Sequence, residues 1–328
     1  MASETTFSDI GRIAAIERLY EGTPFKPFTD CRTYAPKGAE VMTFSKILTE
    51  GIDFDLVYFP YKHLGYKSVA AVTGEIYAAL GSPRTLSVVL GVSAKLDFAQ
   101  ISEIWEGIVT AAKEHNYASV ALDLVPSRNG LVISVCASGI NNVRVTIPKA
   151  ESKDLLVISG SVGAAYLGMQ VLERGKRNFE KGEQIELEKY RMLVGAFLKP
   201  ELGAGAVDAL QDAGICPSAG VFVTRGLSDA VKRICRTTGL GAKIYADKLP
   251  FEGNSFELGR ELNIDPVSAA MNGGDDFRLL YAIPIDRYEK IRHDFQTFDI
   301  IGHLAQKEVG AVLVTPDGVE LPLQAQGW

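Results

Sequence analysis

Residues 50–93 constrain the fold most, because a polar loop, a helical pattern and a β-branched run follow one another without a break. Apolar residues recur at helical spacing over residues 62–80, which predicts a long helix that ends at Gly81. Ser82-Pro83 is typical of a turn, and residues 85–92 are typical of a strand. The candidate core-facing positions of the helix are Leu64, Val69, Val72 and Ile76.

Composition limits the class of protein. A chain of 328 residues is long enough for two domains, and 47% apolar with 23% charged residues is ordinary for a globular protein. The net charge of −6 does not favour binding to nucleic acid or to an anionic membrane surface. No apolar run approaches the roughly 20 residues that span a bilayer. The first residues lack a signal-peptide pattern, so we expect a cytoplasmic location.

The cysteines and histidines do not indicate a metal site or disulfides. They form no CxxC pair and no cluster with the spacing of metal ligands, which predicts reduced, mostly buried thiols. The residues concerned are Cys31, Cys136, Cys216, Cys235, His63, His115, His293 and His303.

The first half of the chain predicts a mixed sheet. Residues 7–20 have a helical pattern that Ser8 or Asp9 can cap, and a short strand is expected near Val41. A helix capped by Asp97 follows the strand at residues 85–92, and two further strands are expected at 118–125 and 131–138. This order favours helices packed on one face of the sheet. The other face would then need cover, and an apolar face would favour a dimer formed through the sheet.

A polar segment at residues 141–154 is the expected linker, which gives two domains at residues 1–148 and 149–328. The second half alternates strands and helices and predicts an α+β sandwich. Charged residues 174–184 indicate a solvated loop, and Pro316-Asp317-Gly318 is typical of a hairpin turn. The expected strands lie at 155–159, 221–223, 243–245, 278–283, 300–304 and 312–315, and the expected helices at 164–172, 189–198, 204–213 and 227–238.

Three short passages could carry chemistry. Gly160-Ser161-Val162-Gly163 lies between a strand and a helix, where backbone amides can bind a phosphate, although a plain tight turn has the same pattern. Asp275 and Asp276 follow two glycines and suit a polar ligand or a metal ion, although an ordinary acidic turn fits equally. Asp123 ends a strand, which is also common without any function.

The chain resembles the thiamine-monophosphate kinase family, which belongs to the superfamily of aminoimidazole ribonucleotide synthetase. The resemblance runs from Phe7 to Trp328. The passages that carry it are EGIDFDLVYFPYKHLGYK, EIYAALGSPR, ISGSVGAAYLG, LKPE, RGLSDAVKRIC, IYADKLP, NGGDDF, IIGH and AQGW.

This resemblance implies a fold and an activity. The fold is α+β with two domains: an N-terminal mixed sheet that pairs in a homodimer and a C-terminal α+β sandwich. The activity is transfer of a phosphoryl group from ATP, with Mg²⁺, to thiamine phosphate, which gives thiamine diphosphate. The implied ATP-binding positions are Asp30, Lys46, Glu75, Asp123, Gly160, Gly163 and Arg225, with Asp30, Glu75 and Asp123 as metal ligands. The implied substrate-binding positions are Asp53, Asp275, Asp276 and Trp328. No catalytic residue is assigned.

Several matched positions depart from the family pattern. The family usually has carboxylates where this chain has Cys31, Lys46 and Arg225. A cation at a metal-ligand position repels the ion, by about 4 kcal/mol per contact at 4 Å in a surface-like dielectric. The two glycines that usually precede Asp123 are replaced by Ala121-Leu122. These departures indicate a degraded Mg²⁺/ATP site.

Three interpretations follow. In the favoured one, the protein is a catalytically impaired homologue that binds a phosphorylated ligand without metal, with Arg32, Lys46 and Arg225 neutralising its charge. The alternative is an active thiamine-monophosphate kinase with atypical metal ligands. A further alternative is a non-catalytic partner or regulator of a paralogue. The two cations Lys46 and Arg225 could also do no more than pair with the remaining acids.

Overall fold

The computed structural model describes residues 10–28, 33, 36–141, 146–182, 187–294 and 297–325. The chain divides into two compact units: residues 1–76 with 81–142, and residues 77–80 with 143–328. Each unit carries its own β-sheet, so the fold is α+β, as predicted. None of the described helices combines the length and the apolarity that crossing a bilayer requires.

The first unit contains a four-stranded mixed sheet. Its strands are β1 (Val41–Thr49), β2 (Gly81–Ser93), β3 (Ser119–Ser127) and β4 (Val132–Asn141), and its described helices are α1 (Arg12–Tyr20), α2 (Tyr61–Ala78) and α3 (Phe98–Glu114). The strand order is β1-β4-β2-β3, in which only β2 and β3 are parallel. Helix α3 is capped as predicted, because Asp97 Oδ1 accepts from Gln100 N at 2.8 Å and Gln100 Oε1 accepts from Asp97 N at 2.9 Å.

Helices cover one face of this sheet. Val88, Val135 and Leu122 share a row on the covered face and are almost fully buried. A Cβ added at Gly139, on the same face, would lie 2.7 Å from Ile76 of α2. The opposite face, which we call the open face, carries mainly small polar side chains, most of them half-buried or exposed. They include Thr43, Ser45, Ser87, Ser134, Cys136 and Ser138. Thr33 covers part of this face, because its Oγ1 lies 3.2 Å from Thr85 Oγ1.

Two predictions about the end of α2 are wrong. Leu80, not Gly81, takes the left-handed conformation, with φ 59°, and Gly81 begins β2. A Cβ at Gly81 would lie 2.6 Å from the flexible end of Met42 and 3.2 Å from Ile140 O, so this glycine lies close to two neighbouring strands. Ser82-Pro83 belongs to β2, whose register shifts before Thr85, so this dipeptide forms an irregularity within a strand and no turn.

The ends of two further elements also differ from the prediction. Helix α1 begins after Gly11, whose φ of 77° interrupts the helix predicted over residues 7–20. The proposed capping residues Ser8 and Asp9 lie outside the described part of the chain. Strand β1 is longer than the short strand expected near Val41 and pairs with β4 along its whole length.

The second unit contains a seven-stranded sheet. Its strands are β5 (Leu155–Ser159), β6 (Ala219–Val223), β7 (Gly241–Tyr245), β8 (Arg278–Ile283), β9 (Phe298–Ala305), β10 (Ala311–Val314) and β11 (Glu320–Pro322). They lie in the order β11-β10-β7-β9-β5-β8-β6. Its described α-helices are α4 (Ala164–Glu180), α5 (Arg191–Leu198), α6 (Ala206–Asp212), α7 (Leu227–Thr238), α8 (Ser255–Leu262), α9 (Pro266–Asn272) and α10 (Tyr288–Asp294).

Two apolar clusters build this unit. In one, Val231 and Ile234 of α7 pack with Leu156 and Leu280 of the sheet. The other joins α4, α5 and α8 and contains Leu167, Val171, Leu193 and Leu258. The loop predicted over residues 174–184 is wrong as far as Glu180, because α4 continues there. Arg177 and Glu180 are exposed, whereas Arg174 is half-buried. The hairpin between β10 and β11 is confirmed.

Candidate functional site

Three loops of the second unit meet at one place, which we call the loop junction. They are residues 160–163 between β5 and α4, residues 224–226 between β6 and α7, and residues 273–277 between α9 and β8. Asp275 N donates to Thr224 O at 2.9 Å, and Phe277 N donates to Val223 O at 3.0 Å. The fold therefore brings together the glycine passage, Arg225 and the paired aspartates, which are far apart in sequence.

Asp276 joins two of these loops. Its Oδ2 accepts from Gly163 N at 2.8 Å and its Oδ1 accepts from Ala165 N at 3.3 Å, so its carboxylate sits at the N-terminal end of α4. The side chain is almost fully buried. Burial raises the pKa of Asp276 to about 7, although both amide hydrogen bonds and nearby Arg278 favour the ionised form. The amide that the glycine passage could offer to a phosphate is therefore already bonded to a carboxylate of the chain.

Glycine is required at two points of the junction. Gly226 has φ 85°, and a Cβ there would lie 2.5 Å from Met271 O. Gly163 has φ 77°, and its Cβ would lie 2.8 Å from Ala270 N. Both contacts are shorter than any side chain tolerates, so α9 approaches the starts of α4 and α7 only because these positions lack a side chain.

Arg278 holds the glycine loop, residues 160–163, from β8. Its Nε donates to Ser161 O at 3.0 Å and its Nη1 donates to Glu201 O at 3.1 Å. The guanidinium lies over Gly160, where an added Cβ would be 3.2 Å from Cζ. At the same junction Asp275 is half-buried with φ 61°, and Arg225 is exposed. The junction therefore presents both a cation and a carboxylate near its surface.

In the first unit, Asp123 is bound by an arginine of α1. Arg12 Nε donates to Asp123 Oδ1 at 3.0 Å and to Leu124 O at 3.1 Å, and Arg12 Nη2 donates to the same carboxylate oxygen. Both side chains are about half exposed. A guanidinium thus occupies the side of Asp123 on which a cation would bind.

The strand register separates Lys46 from Asp123. Lys46 pairs with Val135, which pairs with Val88, and this row faces the helices. Asp123 pairs with Val89 on β2, one residue out of phase with that row. Neighbouring residues of a strand point to opposite faces, so Lys46 and Asp123 lie on opposite faces of the sheet.

Two further acids of this unit have defined surroundings. Asp53 Oδ2 accepts from Thr49 N at 2.8 Å and from Thr49 Oγ1 at 3.1 Å, which closes the turn after β1. Glu75 is half-buried on α2. Across the ranges that the structure describes, no three histidine, cysteine, aspartate or glutamate side chains are grouped closely enough to hold a metal ion.

Comparison with known proteins agrees with this fold. A family model described as AIR synthase related protein, N-terminal domain, matches residues 29–141. The curated thiamine-monophosphate kinase of Synechococcus elongatus is 26% identical over 316 residues, which cover 94% of this chain and 92% of that protein. A solved structure described as AaThiL complexed with AMPPCP and TMP superposes with a TM-score of 0.74 at 20% identity and covers 88% of this chain and 87% of that chain. Residues 29–141 thus match an AIR synthase-related N-terminal domain, and thiamine-monophosphate kinases are among the proteins to which nearly the whole chain is similar.

The same fold extends to a second group of proteins. A structure of hydrogenase maturation protein HypE in complex with ATP superposes with a TM-score of 0.69 at 17% identity, covering 98% of this chain and 94% of that chain. At this identity the likeness shows the fold alone.

The site residues implied by the resemblance to the thiamine-monophosphate kinases fall into two groups. Gly160, Gly163, Arg225, Asp275 and Asp276 meet at the loop junction. Lys46, Asp53, Glu75 and Asp123 lie in the first unit. Asp30 and Trp328, together with Cys31 and Arg32, lie outside the described residues.

The sequence did not single out three residues that the structure brings to attention. Arg12 and Arg278 lack any local sequence signal, because their partners are more than 100 positions away. Lys67 does have a local sequence signal, because it lies three positions after Leu64 on the apolar side of α2. Its side chain is 1% exposed, and its Nζ lies 5.3 Å from the ring centroid of Phe59.

Proposed function

We propose that this protein is a thiamine-monophosphate kinase-like protein that binds a phosphorylated small molecule without a multi-Mg²⁺ centre and does not transfer the phosphoryl group. The observation that carries the proposal is the pairing of Arg12 with Asp123. Asp123 is the carboxylate that the resemblance to the kinases marks as a metal ligand. Here an arginine of the chain already compensates its charge.

The chemistry of phosphoryl transfer explains why this pairing matters. Metal ions neutralise the charge on the transferred group, and the protein contributes little covalent chemistry. Mg²⁺ takes its protein ligands mainly from carboxylates. Arg12 opposes metal binding at Asp123. Lys46 and Arg225 are cations at two other positions where the resemblance to the kinases implies acids. Each such exchange disfavours the ion by about 4 kcal/mol at 4 Å in a surface-like dielectric.

The loop junction supports binding of an anion by side chains. Gly163 N is bonded to Asp276, so the N-terminal end of α4 offers little to a phosphate. Arg225 is exposed at the same junction, and a guanidinium suits phosphate oxygens. We therefore assign recognition of the phosphate to Arg225, with Asp275 as the neighbouring acceptor for a cationic or hydroxyl group of the ligand.

Residues 1–148 and 149–328 then have different roles. We propose that the N-terminal part forms a homodimer through the open face of its sheet and retains the surface against which a nucleotide such as ATP would bind. The C-terminal part supplies the junction that selects the phosphorylated ligand. The open face carries the exposed apolar side chains of Ile47 and Val125 on its two edge strands, and the proposed dimer rests on the resemblance to the kinases.

A turnover assay tests the proposal. The purified protein with ATP, Mg²⁺ and thiamine phosphate is expected to form no thiamine diphosphate above background, whereas the Synechococcus elongatus relative serves as the positive control. The melting temperature is expected to rise when thiamine phosphate is added, by the same amount with and without Mg²⁺. Clear turnover that Asp123→Asn abolishes would instead establish an active kinase with atypical metal ligands.

A further inference from the structure

The second unit contains a cavity of about 360 Å³ that the proposed function does not use. It is lined by Lys153, Leu155, Tyr245, Lys248, Ile300 and His303, among others. Leu155 pairs with His303, which pairs with Lys243, whereas the adjacent row of Leu156 and Ile244 belongs to the core under α7. The cavity therefore lies on the sheet face opposite α7.

The charge around this cavity is one-sided. Lys153 and Lys248 line it with exposed side chains, and none of the described residues that line it is acidic. Within the described ranges neither lysine forms an ion pair, whereas the nearby Lys243 is neutralised by Glu320. In a chain of net charge −6, two unneutralised lysines at one cavity indicate an anionic ligand.

The wall of the cavity suits a flat ring. The rings of Tyr245 and His303 lie 5.8 Å apart at an interplanar angle of 30°, with Tyr245 Oη 3.5 Å from His303 Nδ1. Burial and nearby Lys243 lower the pKa of His303, so the imidazole is neutral near pH 7. Ile300 and Leu155 add aliphatic surface beside this aromatic pair.

Lys153 is held in a strained backbone conformation, with φ 81°. Its N donates to Leu304 O at 2.7 Å, and Leu304 N donates to Asp154 O at 2.8 Å. The buried carboxylate of Asp154 accepts from Ser218 Oγ at 2.7 Å and fixes this turn. Glycine would adopt this conformation without strain, so the strained lysine at this position supports a role for its side chain.

We propose that this cavity is a second ligand site, which binds a small aromatic phosphate monoester. The ring lies against Tyr245, His303 and Ile300, and the phosphate dianion lies between the ammonium groups of Lys153 and Lys248. The two lysines disfavour a ligand whose ring is itself cationic. The site is separate from the loop junction, so evidence for or against it does not affect the proposed function.

Calorimetric titration with phenyl phosphate tests the proposal on the full-length chain. We expect saturable binding that weakens about tenfold or more in Lys153→Gly and in Lys248→Ala. Lys153→Gly should keep or raise the melting temperature, which separates loss of the charge from loss of the fold. Two control variants should leave binding unchanged. Asn263→Gly relieves the strain of a positive φ of 55° at the end of α8, and Lys181→Ala removes an exposed charge.

Two controls define the ligand class. Phenol should bind much more weakly than phenyl phosphate because it lacks the dianion, and inorganic phosphate should bind more weakly because it lacks the ring. The proposal is overturned if phenyl phosphate shows no saturation at millimolar concentration, if phenol binds equally well, or if neither lysine variant changes the affinity.

Discussion

The carboxylate of Asp276 accepts a hydrogen bond from Gly163 N at 2.8 Å, across 113 positions of sequence. The two residues belong to separate motifs, a glycine turn and an acidic turn, and each motif alone suggests a ligand site. In the structure the two motifs bond to each other: the Asp276 carboxylate caps α4 by accepting from the backbone amide of Gly163. The surface available to a ligand at the loop junction therefore begins beyond this pair.

Asp276→Asn should change how stability depends on pH. Burial raises the pKa of Asp276 from 3.8 to about 7, so the folded chain holds this proton more tightly than the unfolded chain. Protonation of Asp276 therefore stabilises the folded chain, by on the order of 4 kcal/mol, below about pH 4. This stabilisation is lost as the pH rises to about 7. We expect the free energy of unfolding, measured with denaturant at pH 5 and pH 8, to fall less with pH in the variant than in the parent protein.

The neighbouring carboxylate provides the matched control. Asp275→Asn removes an acid from the same loop but not the cap of α4. Asp275 is the smallest of the causes that shift the pKa of Asp276, so most of the parent pH dependence should persist. If Asp276→Asn retained the full decline between pH 5 and pH 8, the buried carboxyl would not be the titrating group.

Asp123→Asn should have little effect on stability and none on nucleotide binding. Its pair with Arg12 is about half exposed, and such pairs contribute less than about 1 kcal/mol. Because we propose that no metal centre uses Asp123, the affinity for ATP should be the same in the variant and unaffected by EDTA. Fluorescence titration with a labelled ATP analogue measures this. A Mg²⁺-dependent affinity that disappears in the variant would contradict the proposal.

Gly65→Ala should destabilise the first unit, because α2 and α3 cross there with their backbones in contact. A Cβ at Gly65 would lie 1.9 Å from Ile104 O, and one at Gly107 would lie 1.9 Å from Lys62 O. The helices would have to separate, at a cost of about 1–3 kcal/mol or more. Thermal unfolding measures this loss.

Gly195→Ala is the matched control for that change. Gly195 is also helical, in α5, but no described atom would lie within 4 Å of a Cβ added there. Alanine at this position should stabilise the helix by about 0.5–1 kcal/mol. Thermal unfolding of both variants measures the contrast, and equal effects would exclude backbone crowding as the reason for the glycine in HLGYK.

Local signals predicted the regular elements well. The cap formed by Asp97, the buried stripe of α2 and the hairpin after β10 follow from periodicity and capping chemistry, which act over a few residues. The end of α2 was predicted wrongly. Leu80 takes the left-handed conformation, and Gly81 lies close to Met42 and Ile140 of neighbouring strands. Such crowding by distant residues leaves no mark on the local sequence.

The candidate site was predictable in its residue types but not in its partners. The resemblance implied Arg225 as an ATP-binding position and Asp275 and Asp276 as substrate-binding positions, and the loop junction brings all three together. That Arg12 binds Asp123, and that Arg278 binds Ser161, depends on contacts across more than 100 residues. The opposite directions of Lys46 and Asp123 required the strand register, which the sequence did not supply.

Ile47→Asp should abolish the proposed homodimer. Ile47 lies on β1 in the row of Ser134, Val89 and Asp123, and 57% of its surface is exposed on the open face. A carboxylate buried there by a partner sheet would lose its hydration without gaining a cation. Light scattering should give a dimer mass for the parent protein and a monomer mass for the variant. Ile52→Asp, at a position that is 86% exposed in the loop after β1, should remain dimeric. A monomeric parent protein at micromolar concentration, or a dimeric Ile47→Asp variant, would contradict the proposed interface.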